Sequence, residues 1–240
     1  MNKLTLKATI LGALNGLIVL SIAFSLCLGF SSAKATSAIS AAPYNIVFEG
    51  DSLTAGDTYS NDVVSMFNLC AGTGNIAHNV ATGAQTLYPT MINDSSSQVD
   101  ANLFSARYRN IAVLWAGTND LYYDEKLTAA SLHEYIRDWC EGRKAAGFQV
   151  VVCTITPRPD PQSRRNFEER RQTLNALIRE HYSEYADGIA DIAADPRLGD
   201  AGDELNTRYY TDKIHMTPEG YRIVACIIKD AIAGMANHWT

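Results

Sequence analysis

The chain has 240 residues, 47% of them hydrophobic and 19% charged, with a formal net charge of −6. That composition suits a globular core and excludes a long disordered or fibrous chain. The acidic balance, with no basic cluster, is repelled by nucleic-acid phosphates, so no nucleic-acid partner is expected.

Lys3 and Lys7 precede an uncharged apolar run, 8–30, and Ala33-Lys34-Ala35 fits an A-x-A cleavage site. Residues 1–35 are therefore expected to be a signal peptide. The run exceeds the roughly 7–15 apolar residues of a signal core and reaches the ~20 that span a bilayer. An uncleaved N-terminal anchor is the rival reading, and the only membrane contact expected. Either reading exports the rest of the chain, to a secreted, periplasmic or other extracytoplasmic place, because the positive charges precede the run. Leu26 is too bulky before Cys27 for a lipidation site. Residues 1–35 carry three lysines and no acid, so the chain without them carries −9 against −6 for the whole. Residues 36–43 read as a tether, and 44–240 as one domain.

Residues 44–49 (YNIVFE) form the first expected strand, and 62–69 a helix. Residues 75–81 form a weaker strand, and 99–108 are expected to be helical. Residues 111–115 (IAVLW) are a strand whose unbroken apolarity implies burial on both faces. A helix over 127–146 closes at Gly147. The next strand, 148–155 (FQVVVCTI), is ended by Pro157 and Pro159. A long helix over 165–185 carries Leu174, Leu177 and Ile178 on one face. Residues 188–192 are a short strand, and 217–233 a closing helix with Pro218 in its first turn. Strands alternating with helices imply βαβ units and a parallel sheet. Ligands of such sheets bind beyond the carboxyl ends of the strands. Cys70, Cys140, Cys153 and Cys226 permit two disulfides in an exported protein. Cys153, in an apolar strand, and Cys226, in an apolar helix, equally suit packing as small hydrophobes.

Four turns carry chemistry. Gly50-Asp51-Ser52-Leu53 follows the first strand, where a serine is exposed at a helix N-terminus that favours negative charge. Ser52 is a nucleophile there if a base takes its proton, and otherwise a helix cap. Asp212-Lys213-Ile214-His215 precedes the last helix. Its three-residue spacing lets the carboxylate hold one ring nitrogen while the other faces a serine; the bland alternative is a surface loop. Gly117-Thr118-Asn119-Asp120 follows the strongest strand, where an Asn amide can donate to a developing oxyanion, or simply form a turn. The stretch from His78 to Thr86 follows the second strand and offers backbone N–H groups, and is the least specific of the four. Tyr59, Tyr88, Trp115, Tyr122 and Tyr123 lie near these turns, as core or rim packing or as the lining of an acyl or sugar pocket. No G-x-S-x-G, H-E-x-x-H, paired Cys-His, G-x-G-x-x-G or Walker A pattern is present.

Taken together and in this order, GDSLTAG, the small-residue turn after the second strand, GTND and DKIHMTPEGY resemble the blocks of the SGNH/GDSL hydrolases over nearly all of the chain after Pro43. The resemblance implies a three-layer α/β/α sandwich with a mostly parallel sheet of about five strands. It implies ester hydrolysis with Ser52 as nucleophile, His215 as base and Asp212 as its orienter. The oxyanion hole would comprise the Ser52 N–H, the Asn119 side chain and a backbone N–H of the second block. Asp51 would order the turn. The family's second block reads Asn, four residues, Gly; counting from Asn79 places Ala84 there and Gly83 one residue early. Either supplies the donor, with register leaning to Ala84. No metal or organic cofactor is implied. The expected substrate is a small-molecule or polysaccharide ester, with short acyl or O-acetyl groups. The alternatives are a lipase, thioesterase or lysophospholipase for longer chains, and a silent carbohydrate-binding module on the same fold.

Overall fold

The computed structural model describes residues 42–56, 59–71, 74–104, 106–159 and 166–235. The expected leader 1–35 lies outside the described residues, as does most of the tether.

Five strands form one parallel sheet: β1 Tyr44–Gly50, β2 Ile76–Asn79, β3 Arg109–Trp115, β4 Gln149–Cys153 and β5 Gly188–Ala190. Their spatial order is β2-β1-β3-β4-β5. The helices are α1 Ser52–Ala55, α2 Tyr59–Ala71, α3 Ile92–Gln98, α4 Thr118–Tyr123, α5 Ala129–Ala146, α6 Phe167–Tyr185 and α7 Pro218–Met235. On one face of the sheet α2 packs with α7; on the other α5 packs with α6, and α3 against α5. The sheet is covered on both faces, which is why β1 (YNIVFEG) is buried at all seven positions. This is the parallel sheet that the alternating pattern predicts, in the α/β/α sandwich that the resemblance implies.

Two expectations need correction. Residues 99–108 are not a helix: a single 3₁₀ turn, Asp100–Asn102, gives way to extended backbone at Leu103. The helical segment lies earlier: Leu87–Met91 bends at an extended Tyr88 (φ −113°, ψ 135°) and leads into α3. The sequence of α3, INDSSSQ, is poor in helix formers. It is held by tertiary contact: Ser95 is fully buried and hydrogen-bonds the Met91 carbonyl and Glu49 Oε2. The second correction is Cys226, which is exposed on α7 rather than packed as a core hydrophobe, whereas Cys140 and Cys153 are buried free thiols.

The topology places the site. The chain leaves β1 toward β2 on one side and returns to β3 on the other, so the order reverses between β1 and β3. In open α/β sheets that switch point, at the carboxyl ends of the strands, is where ligands bind. The Ser52 turn follows β1 and the Asn119 turn follows β3.

Candidate active site

Asp51 is the N-cap of α1 and wholly buried. Its Oδ1 accepts the Leu53 N–H at 2.9 Å, and its carbonyl accepts those of Thr54 and Ala55. One residue thus satisfies three of the first-turn donors, leaving the Ser52 N–H over. Burial pushes the Asp51 carboxyl up to about 7, with the charge of Asp120 adding; the Leu53 N–H, Arg158 and His215 pull the other way. Gly50 is required by closeness. A Cβ there would stand 2.3 Å from the Trp115 carbonyl and 2.5 Å from Thr54 Oγ1.

Asp212 and His215 come together through the backbone between them. Lys213 takes a left-handed conformation, φ 70°. Asp212 Oδ1 can then accept the N–H groups of both Ile214 (3.0 Å) and His215 (2.7 Å), while Oδ2 meets His215 Nδ1 at 2.7 Å. Thr211 closes the loop by donating its N–H and hydroxyl to the His215 carbonyl. Burial alone would raise the Asp212 carboxyl. The bonds from the His215 ring and the two N–H groups outweigh it and hold the group below the ordinary carboxylate range. An ionised carboxylate only accepts, so Nδ1 carries the ring proton and Nε2 presents its lone pair. His215 Nε2 lies 2.8 Å from Ser52 Oγ, across 163 residues of sequence. Asp212 and His215, paired by their spacing, therefore form one hydrogen-bonded line with Ser52.

Ser52 and His215 open on a cavity of about 450 Å³, lined also by Ala55, Gly56, Gly83, Thr211, Met216 and Tyr221. Gly83 faces it; Ala84 does not. Thr82 and Gln85 close a turn by a hydrogen bond of 3.3 Å, and Ala84, the third residue of that turn, carries φ 65°. Positive φ at this position belongs to a type II turn and favours Gly. Here the glycine stands one place earlier, where a Cβ would touch Ser52 Cβ at 3.9 Å.

Asn119 is buried in the first turn of α4, whose N-cap Gly117 has φ 116°. Its Nδ2 donates to the Gln85 carbonyl at 3.0 Å, and its Oδ1 faces Arg158 Nη1 at 3.4 Å. An amide nitrogen carries two protons, so one remains. The next residue, Asp120, accepts the N–H groups of Leu87 (2.9 Å) and Tyr88 (3.3 Å), and burial raises its carboxyl. GTND therefore fastens the whole 82–88 loop to the end of β3.

Of the aromatic residues near the turns, Tyr59 and Trp115 are core, packed edge to face at 5.8 Å. Tyr122 lies under Arg158, whose guanidinium carbon is 3.8 Å from its ring centre. Tyr88 and Tyr123 are exposed. Sequence reasoning missed Arg158, Asp120 as a loop anchor, and the Gln85 carbonyl. Only Asp120 had a signal, its place in GTND. Among the described residues no cluster of His, Cys, Asp or Glu side chains is arranged to hold a metal ion, and no helix is long and apolar enough to cross a membrane.

Residues 48–223 match the sequence model of the GDSL-like lipase/acylhydrolase family. The chain belongs to that family. Membership makes it a hydrolase of acyl esters. Its fold recurs in a GDSL-like lipase of Bacteroides thetaiotaomicron, 24% identical, with a TM-score of 0.61 over 79% of this chain and 88% of that one. A lipase/acylhydrolase of Enterococcus faecalis is 18% identical, with a TM-score of 0.58 over 80% and 96%. A variant of an acetyl-xylooligosaccharide esterase from Geobacillus is 14% identical, with a TM-score of 0.59 over 79% and 94%. At such identities the likeness is one of fold. No curated protein matches the chain.

Proposed function

We propose that this GDSL-family hydrolase is an exported serine esterase for short acyl groups, above all O-acetyl groups on carbohydrate. The observation that carries the serine mechanism is the continuous line Asp212–His215–Ser52, at 2.7 and 2.8 Å, ending at the floor of an open cavity. In the first step Ser52 Oγ bonds to the ester carbonyl carbon as its proton passes to His215 Nε2. Asp212 holds the resulting imidazolium by its ionised carboxylate. The developing oxyanion is met by the Ser52 N–H, the Gly83 N–H on the cavity wall and the free Nδ2 proton of Asn119. The proton on Nε2 then goes to the leaving oxygen as the carbon–oxygen bond breaks, giving the alcohol and an acyl-serine. Water attacks the acyl-serine with its proton taken by Nε2, and the acid and the Ser52 hydroxyl are restored.

Two features support a small acyl group. Among the described residues only Met216 and Tyr221 bring large side chains to the cavity, and both are themselves buried, so no long apolar groove is built from them. The Geobacillus neighbour is an esterase of acetylated xylo-oligosaccharide, which makes that carrier the first to try. Export rests on the apolar run and A-x-A site of residues 1–35.

The full-length protein should be labelled at Ser52 by a fluorophosphonate, located by peptide mapping. Ser52→Ala should abolish both labelling and p-nitrophenyl acetate hydrolysis while the protein stays folded by circular dichroism. A Ser52→Ala protein retaining activity within about tenfold of the parent sinks the serine mechanism, because removal of a nucleophile costs several orders of magnitude. Faster turnover of decanoyl than of acetyl esters would assign the site to longer acyl chains instead.

A further inference from the structure

A second cavity, of about 190 Å³, shares no lining residue with the first. It is lined by Thr86, Tyr88, Tyr123, Asp124, Leu127 and Tyr135, with Asp120 at its base. One loop serves both cavities: Gly83 faces Ser52, and Thr86 and Tyr88 face the second. From Gly83 to Tyr88 is five residue steps, at most ~18 Å if fully extended and less here because 82–85 is a turn. A substrate of two or three sugar units can span that gap.

The walls are aromatic, exposed and stiff. Tyr88 is 52% and Tyr123 55% exposed, unusual for rings of this size. Tyr88 is stacked on Tyr135 at 4.6 Å and 16°, and its N–H is pinned by Asp120. Tyr123 meets Tyr122 edge to face at 5.5 Å. These rings are platforms ordered before any ligand arrives, so little entropy is lost on binding. Between them stand a hydroxyl (Thr86), phenols and the exposed carboxylate of Asp124. Among the described residues no lysine or arginine lines the cavity; Arg170 donates instead to the carbonyls of Asp124 and Leu127.

This combination selects a ligand class. Aromatic faces, negative at their centres, accept the C–H face of a sugar ring, and a carboxylate and hydroxyls pair with its OH groups. The acidic lining disfavours phosphate or carboxylate headgroups. A long acyl chain would strip water from the Asp124 carboxylate, held by the Lys126 N–H, and from the Thr86 hydroxyl, which donates to the Tyr88 carbonyl, and would give neither a new partner. We propose that this cavity is a binding subsite for a neutral sugar unit adjoining the one whose ester is cleaved at Ser52. The proposal rests on the esterase reading and deepens it.

The test uses the full-length protein and its Tyr88→Ala, Tyr123→Ala and double variants. All remove exposed rings and leave the core alone. On p-nitrophenyl acetate, which is too short to reach the second cavity, kcat/KM should stay within about twofold. On acetylated xylo-oligosaccharides the double variant should lose about tenfold or more in kcat/KM, mainly through KM, the equivalent of one good ring contact. Unchanged KM on the oligosaccharide in the double variant overturns the subsite. So does selective loss of decanoyl-ester hydrolysis, which would make the rings an acyl groove. Calorimetric binding of unacetylated xylotetraose to Ser52→Ala, lost in Ser52→Ala with both tyrosines removed, reads the subsite without turnover. If the parent shows no Ser52-dependent hydrolysis of p-nitrophenyl acetate, the esterase reading fails; the xylotetraose measurement still decides whether the cavity takes sugar.

Discussion

Asn119 ties the 82–88 loop to β3 through the Gln85 carbonyl, and its second Nδ2 proton is the one proposed to meet the oxyanion. Both roles use Nδ2, so two substitutions test them together. Asn119→Ala removes both, and kcat should fall by roughly 10²–10³. Asn119→Asp keeps the shape but loses both Nδ2 protons and sets a carboxylate oxygen against the Gln85 carbonyl, so kcat should fall at least as far. Steady-state kinetics on both variants checks this; an unchanged kcat in either would leave Asn119 as a loop anchor only. At this scale the sequence is informative where the chemistry is local. Asp212 and His215 lie three residues apart, and their contact is made by one loop with a single left-handed residue. The contact between Ser52 and His215, far apart in the chain, is available only through resemblance to a family. In the 82–88 loop, register favours Ala84, yet Gly83 faces Ser52. Glycine is expected at the positive φ, and here it sits at the cavity wall instead. Arg158 has no motif to mark it, because its role depends on where the Tyr122 ring and the Asn119 amide come to rest.

The element that presents Ser52 is a sharp passage from β1 into α1, and its tolerance is set by the Gly50–Trp115 pair of the sheet. Gly50→Ala would drive a methyl into the Trp115 carbonyl and Thr54 Oγ1. Overpacking of this kind costs about 2 kcal/mol, which is ~4–8 °C in Tm for a domain of this size. Gly142→Ala is the matching control: it lies inside α5 with nothing within 4 Å of an added Cβ. That change should stabilise by about 0.5–1 kcal/mol. Thermal melts of the two variants should therefore move in opposite directions; a Gly50→Ala protein as stable as the parent would mean that the turn can open. The buried strands are legible because a doubly covered parallel strand reads as a continuous apolar run. The helix α5 and its Gly147 terminus are legible from periodicity and a left-handed cap. Helix α3 is not, since its serines, asparagine and aspartate argue for a loop and only the contacts of Ser95 with Glu49 and Met91 override them.

Across the whole molecule, alternation of strands and helices implies the layer architecture, but the strand order and the two buried acids beneath the site emerge only on folding. Glu49 sits on β1, 1% exposed, with Oε2 accepting from Trp139 Nε1 at 2.5 Å and from Ser95 Oγ at 3.1 Å. Burial pushes its carboxyl up to about 7, against the pull of Trp139, Ser95 and Arg143. In the unfolded chain a Glu titrates near 4.3. The folded state therefore holds a proton that the unfolded state has released. The stability this contributes is complete below pH ~4, declines as pH rises and is gone above the folded value of about 7. Asp51, also near 7, declines over the same range, so the slope for Glu49 must be isolated by substitution. Glu49→Gln keeps an oxygen to accept from Trp139 and Ser95 and cannot ionise. Its stability relative to the parent should rise between pH 5 and pH 8.5, by an amount of the order of 3 kcal/mol at most, from ~1.4 kcal/mol per pKa unit. The difference in unfolding free energy from urea titrations at the two pH values reads this directly. A difference that does not change with pH would show that Glu49 titrates like an exposed carboxyl, and that water reaches the floor of the sheet behind Ser52.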